Sequence, residues 1–306
     1  MTSVSTAPAD VPADFKSMLA DIGTAMNAEL DRLLPAVPGP ENRVVEAMRY
    51  AALDGGKRLR PFLLCASADL FGVPRARALR AAAAIEMVHC YSLVHDDLPA
   101  MDDDDLRRGR PTVHKKFDEA TAILAGDALL TESFTVLADP ATHPDGAVRA
   151  KLVAELAAAS GAKGMVGGQM IDFLAGGLSL DQDGLTRLQN MKTGCLIAAS
   201  CRLGAILGDA RDGDCDALAA YGIAMGLAFQ IADDVLDVES SAAVTGKATG
   251  KDAAAGKATF VSRLGLEGAK TYARELAETA ARHLAIFGER AGVLQQAAFF
   301  AVERRS

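Results

Sequence analysis

Proline is missing from the second half of this 306-residue chain, since all 11 prolines lie between Pro8 and Pro144. Aromatic residues make up only 5% of the chain, whereas alanine, the strongest helix former, makes up about a fifth. After Pro144, only glycine is present to interrupt a helix. No segment alternates convincingly with a period of two, but four repeat apolar side chains at helical spacing: 43–53, 77–98, 149–160 and 216–238. The sequence therefore predicts an all-α protein.

Other scarce features exclude several functional classes. The five cysteines include no C-x-x-C pair, which favours reduced thiols over disulfides or structural zinc. A net charge of −8 and a pI near 5.2 argue against nucleic-acid binding. No apolar stretch approaches the roughly 18 residues that a bilayer span needs, and residues 1–15 lack the features of a secretory signal. We therefore expect a soluble, cytoplasmic protein without a membrane span.

The chain reads as one domain with a few breaks. Residues 1–14 are rich in Ala, Pro, Ser and Thr and are interpreted as a flexible leader before a single domain, 15–306. Residues 137–147 and 175–184 are typical of loops between helices. Residues 240–259 are rich in Gly, Ala and Ser and carry three lysines, which predicts a flexible basic loop.

Two acidic clusters are predicted to close long apolar helices, one at residues 96–105 and one at 233–237. In the second cluster, Asp233 and Asp237 are four residues apart and share a helix face with Gln230, one turn earlier. In the first cluster, a helix ending near Leu98, before Pro99, would let the chain turn.

Such a turn would bring Asp102 back beside Asp96. Two carboxylates about 4 Å apart repel each other by about 4 kcal/mol at an effective dielectric constant of 20. Clustering is therefore unfavourable unless a cation neutralises it, and hard oxygen donors without His or Cys suit Mg²⁺. A single acidic cluster could instead be a solvated surface. Two acidic clusters, each after an apolar helix, argue against that alternative. Neither cluster has the spacing of an EF-hand calcium loop.

Basic residues accompany the acidic clusters. Lys57 and Arg60 flank a predicted helix N-terminus, a position that attracts anions. Arg107 and Arg108 follow the first cluster and suit bidentate phosphate contacts. The predicted loop contributes three more cations: Lys247, Lys251 and Lys257. Acidic residues that need a metal cation, beside basic residues that need an anion, indicate a di- or triphosphate substrate. The sequence contains no Walker-type phosphate loop, which argues against a P-loop nucleotide site.

These motifs together resemble those of the trans-prenyl diphosphate synthases, with the strongest likeness to the bacterial farnesyl diphosphate synthases. The similar segments are GGKRLRP (55–61), HDDLPAMDDDDLRRGRPT (95–112), GGQ (167–169), KTG (192–194), FQIADDVLD (229–237) and the glycine–lysine pattern of 246–259. They occur in order from about residue 40 to 265. The resemblance implies an isoprenoid synthase fold, a large helical bundle around a deep central cavity, usually as a homodimer.

The resemblance also implies a reaction, the head-to-tail condensation of isopentenyl diphosphate with an allylic diphosphate. An allylic C–O bond ionises, the isopentenyl double bond attacks the cation, and a proton is lost, with Mg²⁺ as Lewis acid on the diphosphate. Three Mg²⁺ ions are implied, held by Asp96, Asp102 and Asp233. Supporting carboxylates are Asp97, Asp234 and Asp237.

Substrate contacts follow from the same resemblance. The allylic diphosphate would be bound by Arg107, Lys192 and Lys257. Isopentenyl diphosphate would be bound by Lys57, Arg60, His89 and Arg108. Thr193 and Gln230 would stabilise the allylic cation with oxygen dipoles, and Lys247 would close over the site. Taken alone, His89 is more often a structural hydrogen-bonding residue, and Gly167 and Gly168 would merely permit close helix packing.

Product length is expected to depend on Tyr91. Helical rise puts this residue roughly 7–8 Å along its helix from Asp96, where a ring can form a cavity floor. An aromatic five residues before the first aspartate, with the Pro-Ala insertion at 99–100, resembles the bacterial pattern that stops at fifteen carbons, and Ser92 is small. Plain core packing of Tyr91 is the alternative.

Other functions stay open at this point. A geranylgeranyl diphosphate synthase is the alternative for the product, while a non-catalytic regulatory subunit should lack parts of the metal motifs, which are intact here. A terpene cyclase would not need the cations at Lys57 and Arg60, and an acidic Mg²⁺- or Ca²⁺-storing protein would not need the arginines. The sequence therefore favours farnesyl diphosphate synthesis.

Overall fold

The computed structural model describes residues 13–53, 55–175, 180–245 and 259–303. Its first helices are α1 (Ala13–Leu33), α2 (Asn42–Ala52), α3 (Leu59–Asp69), α4 (Arg75–Asp96), α5 (Val113–Lys116), α6 (Glu119–Ala138) and α7 (Gly146–Ser160). They are followed by α8 (Met165–Leu174), α9 (Gln182–Gln189), a π-helical turn (Asn190–Gly194), α10 (Cys195–Leu207) and α11 (Asp212–Thr245). The last elements are α12 (Phe260–His283), a 3₁₀ segment (Ala285–Ala291) and α13 (Gly292–Glu303).

Local sequence explains where several helices begin. Asp118 precedes α6, and its side chain accepts a hydrogen bond from the Thr121 amide at 2.7 Å. Thr259 precedes α12 and exchanges side-chain-to-backbone hydrogen bonds with Ser262, which satisfies two amides of the first turn. These caps fix the start of each helix and therefore the direction in which it leaves the preceding segment.

Helix α4 lies at the centre of the bundle and packs against α3, α6 and α10. Its alanine-rich middle, residues 81–84, is fully buried, because small side chains let neighbouring helices approach closely. Helix α11 packs against α10 and α12 and forms the second half of the core. The first acidic motif begins at the C-terminal end of α4 and the second lies within α11, so one bundle carries both.

The helical predictions are confirmed: each of the four periodic segments lies almost wholly within α2, α4, α7 or α11. The described β-structure is one hairpin of two-residue strands, β1 (Leu106–Arg107) and β2 (Arg110–Pro111), paired antiparallel. The expected loop at 137–147 is confirmed apart from its helical first and last residues, 137–138 and 146–147. Of the loop expected at 175–184, residues 182–184 belong to α9 and 176–179 lie outside the described residues.

One prediction about the second acidic cluster was wrong. The cluster does not close a helix, because α11 continues past Asp237 to Thr245 without a proline to stop it. Of the loop predicted for 240–259, residues 240–245 are helical instead, and 246–258 lie outside the described residues. The predicted leader 1–14 falls almost wholly outside them too, with α1 beginning at Ala13.

By length and composition alone, two helical stretches could span a bilayer: Glu119–Ala138 and Asp212–Glu239. The prediction that no apolar stretch approaches the length of a bilayer span was therefore wrong. Core helices pass the same test, and 44% and 61% of the two apolar windows are buried within the molecule. No membrane span is evident from them.

Candidate functional site

A cavity of about 480 Å³ opens beside the C-terminal half of α4. One part of its wall is charged or polar, with Arg60, His89, Asp96, Lys192 and Thr193. The other part is largely apolar and includes Tyr91 with four side chains of α8: Met165, Val166, Met170 and Phe173. The cavity therefore suits a ligand with a charged head and a hydrocarbon tail.

The charged end begins where α4 stops. The Asp102 amide donates to the Asp96 carbonyl at 2.9 Å, so the chain folds back and brings the two residues together, as the proline placement predicted. Burial raises the pKa of the Asp96 carboxyl to about 6, Lys192 opposes this shift, and Asp102 adds to it. An ionised Asp96 is thus disfavoured unless a cation binds here.

The next aspartate has a partner within the protein. Asp97 is 2% exposed and receives two hydrogen bonds from Nε of Arg107, at 2.8 and 2.9 Å, with Nη2 at 2.6 Å. Arg107 and Arg108 line a separate small cavity of about 50 Å³. The Arg108 guanidinium donates to the Gly55 carbonyl at 2.9 Å, which joins the first acidic motif to GGKRLRP.

The GGKRLRP segment presents its three cations differently. Arg60 faces the large cavity, where burial lowers the pKa of its guanidinium. Burial also lowers the pKa of His89 well below its usual value, with Arg60 and Arg108 adding to the effect. These shifts favour a bound anion, because an anion would compensate the buried positive charge. Lys57 is exposed just before α3.

Arg58, between Lys57 and Arg60, is turned into the core instead. It is 4% exposed, and its guanidinium contacts Glu86 of α4 at 2.6 Å and Asn27 of α1 at 2.7 Å. Its backbone is left-handed, with φ of 47°. This buried ion pair ties GGKRLRP to α4 and so fixes where Arg60 points.

Lys192 and Thr193 lie in the π-helical turn that joins α9 to α10. The Lys192 ammonium contacts the Asp172 carboxylate of α8 at 2.6 Å. Gly168 lets α8 approach, because a Cβ there would lie 2.2 Å from the Lys192 backbone nitrogen. Thr193 Oγ1 donates to Oε1 of Gln230 at 3.3 Å, which connects the turn to α11.

On α11, the inner aspartate of the second cluster is held from two sides. Asp234 is 5% exposed and accepts from the Phe260 amide at 3.1 Å and from Gln230 Nε2 at 3.5 Å. Asp233 and Asp237 are partly buried on the same helix. Each cluster thus has one deeply buried aspartate with protein partners, Asp97 or Asp234, beside a more accessible one.

Within the part of the chain that the structure describes, no three His, Cys, Asp or Glu residues form a ready-made metal cage. The carboxylates nevertheless fit Mg²⁺, which in phosphate-handling sites takes one or two carboxylates together with substrate oxygens. The pairing of Asp96 with Asp102 and the raised pKa of Asp96 provide such a partial donor set.

Several known proteins are similar in sequence to this chain along most of its length. The model of the polyprenyl synthetase family matches residues 41–287. The chain belongs to the polyprenyl synthetase family. Farnesyl diphosphate synthase of Escherichia coli (strain K12) is 48% identical over 274 residues, which cover 89% of this chain and 91% of the relative.

Two further polyprenyl synthetases illustrate the range of similar proteins. The chloroplastic geranylgeranyl pyrophosphate synthase 11 of Arabidopsis thaliana is 44% identical, over 89% of this chain and 76% of the relative. An FPP/GFPP synthase from Zymomonas mobilis, known from a crystal structure, has 46% sequence identity to this chain. The two structures superpose with a TM-score of 0.86 over 94% of this chain and 99% of the Zymomonas chain. The fold is therefore the all-α fold of the isoprenoid synthases.

The polyprenyl synthetase fold brings many predicted residues to the large cavity and leaves others elsewhere. Lining it are Arg60, His89, Tyr91, Ser92, Asp96, Lys192 and Thr193. Arg107 and Arg108 line the small cavity instead, and Gln230 reaches the site through Thr193. Lys247, Lys251 and Lys257 lie outside the described residues.

Sequence reasoning missed several residues of this site. Asp172 and the α8 side chains were not singled out, although Asp172 is the one acid in an apolar segment, three residues after Gln169. That spacing places both polar groups on one helix face and was a usable signal. The Arg58–Glu86 pair had no such signal, because its partners are 28 residues apart, one just before α3 and the other in α4.

Proposed function

We propose that this polyprenyl synthetase is a Mg²⁺-dependent trans-prenyltransferase that condenses isopentenyl diphosphate with dimethylallyl and geranyl diphosphate to give farnesyl diphosphate. The observation that carries the proposal is the cavity itself. Cationic groups of Arg60 and Lys192 and the carboxyl of Asp96 form one end, and apolar side chains such as Tyr91 and Phe173 form the other. An allylic diphosphate has the same division between an anionic head and a hydrocarbon tail.

The diphosphate leaving group determines what the charged end must do. Asp96, Asp102 and Asp233 would hold Mg²⁺, three ions by family resemblance, with Asp97, Asp234 and Asp237 in support. The bound metal supplies charge neutralisation of the departing diphosphate. Lys192 and Arg107 would contact the same diphosphate after partial release from Asp172 and Asp97, their present partners. Lys257 would add a further contact.

The isopentenyl diphosphate would lie beside GGKRLRP. Arg60 and His89 face the cavity, and burial disfavours the charged form of both, so a bound diphosphate would restore their preference for it. Lys57 and Arg108 would contact the same diphosphate from the exposed side. Positioning two reactants side by side contributes a large part of the catalysis of such a condensation.

The carbocation needs stabilisation without being trapped by a nucleophile. Thr193 Oγ1 and Gln230 Oε1 are within 3.3 Å of each other and offer neutral oxygen dipoles, which stabilise positive charge electrostatically. The proton lost at the end would pass to the released diphosphate, so no side-chain base is required. Lys247 would contribute to closing the site.

The apolar end would set the length of the product. Tyr91 is 7% exposed, and its ring lines the cavity beside the smaller Ser92. A tail growing from the charged end towards the N-terminus of α4 would meet this ring. Farnesyl diphosphate is accordingly proposed as the main product, with geranylgeranyl diphosphate as the second candidate because relatives of both kinds are similar to this chain.

The deciding experiment is an incubation of the purified full chain with labelled isopentenyl diphosphate, geranyl diphosphate and Mg²⁺. We expect labelled farnesyl diphosphate by chromatography and none after chelation with EDTA. Mostly twenty-carbon product would identify a geranylgeranyl diphosphate synthase. Consumption of geranyl diphosphate without incorporation of label would indicate a cyclase, and no turnover would indicate a non-catalytic subunit.

We also propose a cytoplasmic homodimer. All five cysteines are unpaired, as expected in a reducing compartment. Helices α6 and α8 expose large apolar side chains that a partner would cover: Ile123, Leu124, Val166, Met170, Phe173 and Leu174. Light scattering after size exclusion should give twice the chain mass of 31.8 kDa, and a value near the chain mass would contradict the dimer.

A further inference from the structure

The cavity wall next to Tyr91 contains a second ring that the proposed reaction has not used. His95 lies one helical turn after Tyr91 on α4, and both line the cavity. Their ring centroids are 5.8 Å apart with an interplanar angle of 76°, an edge-to-face contact. Such contacts stabilise a particular relative orientation of two rings. The orientation of Tyr91 is therefore linked to that of His95.

His95 is in turn fixed by α6. Its Nε2 lies 3.1 Å from the backbone carbonyl oxygen of Ile123, and 4.0 Å from the Asp127 carboxylate. A carbonyl oxygen only accepts hydrogen bonds, so Nε2 carries the proton in this contact. The imidazole thus spans from α6 to the Tyr91 ring and has little freedom to rotate.

The space for this contact exists because residue 126 is glycine. A Cβ at Gly126 would lie 2.1 Å from Nε2 and 2.5 Å from Cδ2 of His95. The three atoms nearest to such a Cβ all belong to the imidazole. Any side chain at position 126 would therefore displace this ring before it touched another group.

We propose that His95 and Gly126 are positioning residues for product length, which hold the Tyr91 ring where it closes the apolar end of the cavity. The inference rests on the proposed prenyltransferase function. The missing side chain of Gly126 admits the imidazole, the Ile123 carbonyl orients it, and its edge supports the Tyr91 ring. Product length is then set by three residues of two helices, with Tyr91 alone as the surface that the tail meets.

The test measures the product distribution from dimethylallyl and isopentenyl diphosphate. His95→Ala removes the support of Tyr91, and we expect the ratio of twenty- to fifteen-carbon product to rise about 2- to 10-fold, the range that one aromatic pair contact represents. Gly126→Ala pushes the imidazole into the cavity, so we expect a rise in the ratio of ten- to fifteen-carbon product. These opposite shifts are not expected from a general loss of stability.

The double variant makes the test specific. Because the three atoms nearest to the new Cβ all belong to the imidazole, His95→Ala with Gly126→Ala should reproduce the profile of His95→Ala alone. Gly213→Ala is the matched control, since that helical glycine has no group within 4 Å of its would-be Cβ, and the wild-type profile is expected.

Unchanged product ratios in His95→Ala would overturn the proposal even if Gly126→Ala failed to fold. Additive shifts in the double variant would also overturn it. Failure of the proposed function gives a different result, since the wild type would then not form farnesyl diphosphate as its main product. A wild-type enzyme that makes farnesyl diphosphate while the His95 and Gly126 variants match it contradicts the positioning role alone.

Discussion

The two ends of the large cavity are built in different ways. Charged residues from α3, α4 and the π-helical turn meet at one end, and nearly all of them have a polar partner or a shifted pKa. Apolar side chains from α4 and α8 form most of the other end, where packing largely sets the shape. Changes at the charged end should thus alter stability and rate, and changes at the apolar end should alter selectivity.

The charged end disfavours buried charges of both signs. Burial raises the pKa of Asp96 to about 6 and lowers the pKa of Arg60 and His89, so both signs of charge are disfavoured before a ligand binds. A ligand that brings a cation to the acids and an anion to the bases relieves both penalties together. A metal diphosphate is therefore expected to bind more tightly here than either component alone.

The largest effect is expected beneath the charged end, at the buried Arg58–Glu86 pair. Arg58→Met leaves Glu86, whose side chain is 3% exposed, as an unpaired buried charge. We expect a loss of about 3–5 kcal/mol in the free energy of unfolding by urea titration. The double variant Arg58→Met with Glu86→Leu should recover most of it. A loss below about 1 kcal/mol would contradict a supporting role for the pair.

The next effect concerns rate. Asp96→Ala or Asp233→Ala should lower kcat about 10²–10³-fold at saturating Mg²⁺, since each removes a preorganised electrostatic contact. Melting temperature should stay the same or rise, because crowded like charges are relieved. Asp216→Ala, at an exposed position on α11, is the control. An Asp233→Ala enzyme with more than half of wild-type turnover would exclude a metal role for the second cluster.

The apolar end should respond in product length. Tyr91→Ala removes the ring that the tail meets, and we expect the main product to shift from fifteen carbons to twenty or longer, with kcat within about 10-fold of wild type. Tyr91→Phe keeps the ring and should keep the fifteen-carbon product. Chromatography of labelled products measures both, and an unchanged product in Tyr91→Ala would make the residue plain core packing.

The smallest effect is in pH dependence. His89 stays neutral in the folded protein, because burial and nearby arginines keep its pKa well below the usual value. Below about pH 6.5 the unfolded chain binds a proton there that the folded protein does not, so stability falls as pH falls. We expect at most about 1.4 kcal/mol per pH unit from this group, the limit for a difference of one bound proton.

Urea midpoints measured at several pH values below 7 would show this contribution as a slope. His89→Gln should flatten the slope, while His283→Gln, at an exposed position in α12, should not. Equal slopes in wild type and His89→Gln would mean that His89 is protonated in the folded protein, contrary to its buried environment.

The sequence predicted the fold class and most of the charged end. The helices follow directly from the alanine content, the helical periodicity and the lack of proline after Pro144. Pro99 likewise predicts the turn that brings Asp102 to Asp96. These are local effects, which depend on neighbours within a few residues. The motif resemblance then added residues such as Lys192, which no local pattern distinguished.

The apolar end and the supporting pairs were harder to predict. Phe173 and Met170 line the cavity because α8 packs against the π-helical turn, a contact between separate elements. Arg58 looks like its neighbours Lys57 and Arg60 in sequence, and only a left-handed backbone with φ of 47° turns it inward. Helix α11 continues past Asp237 because no proline stops it. The glycine and serine content of 240–259 led to the prediction of a loop there instead.

The π-helical turn has a consequence for how this protein tolerates change in its gene. Residues 182–207 form one unbroken helical segment, and the wider turn at Asn190–Gly194 accommodates an extra residue compared with an α-turn. Losing one codon there would rotate α9 by about 100° relative to α10, because each α-helical residue turns the chain by that amount. The length of this segment is therefore fixed by its neighbours on both sides, because a deletion would move a whole helix whereas a substitution alters one side chain.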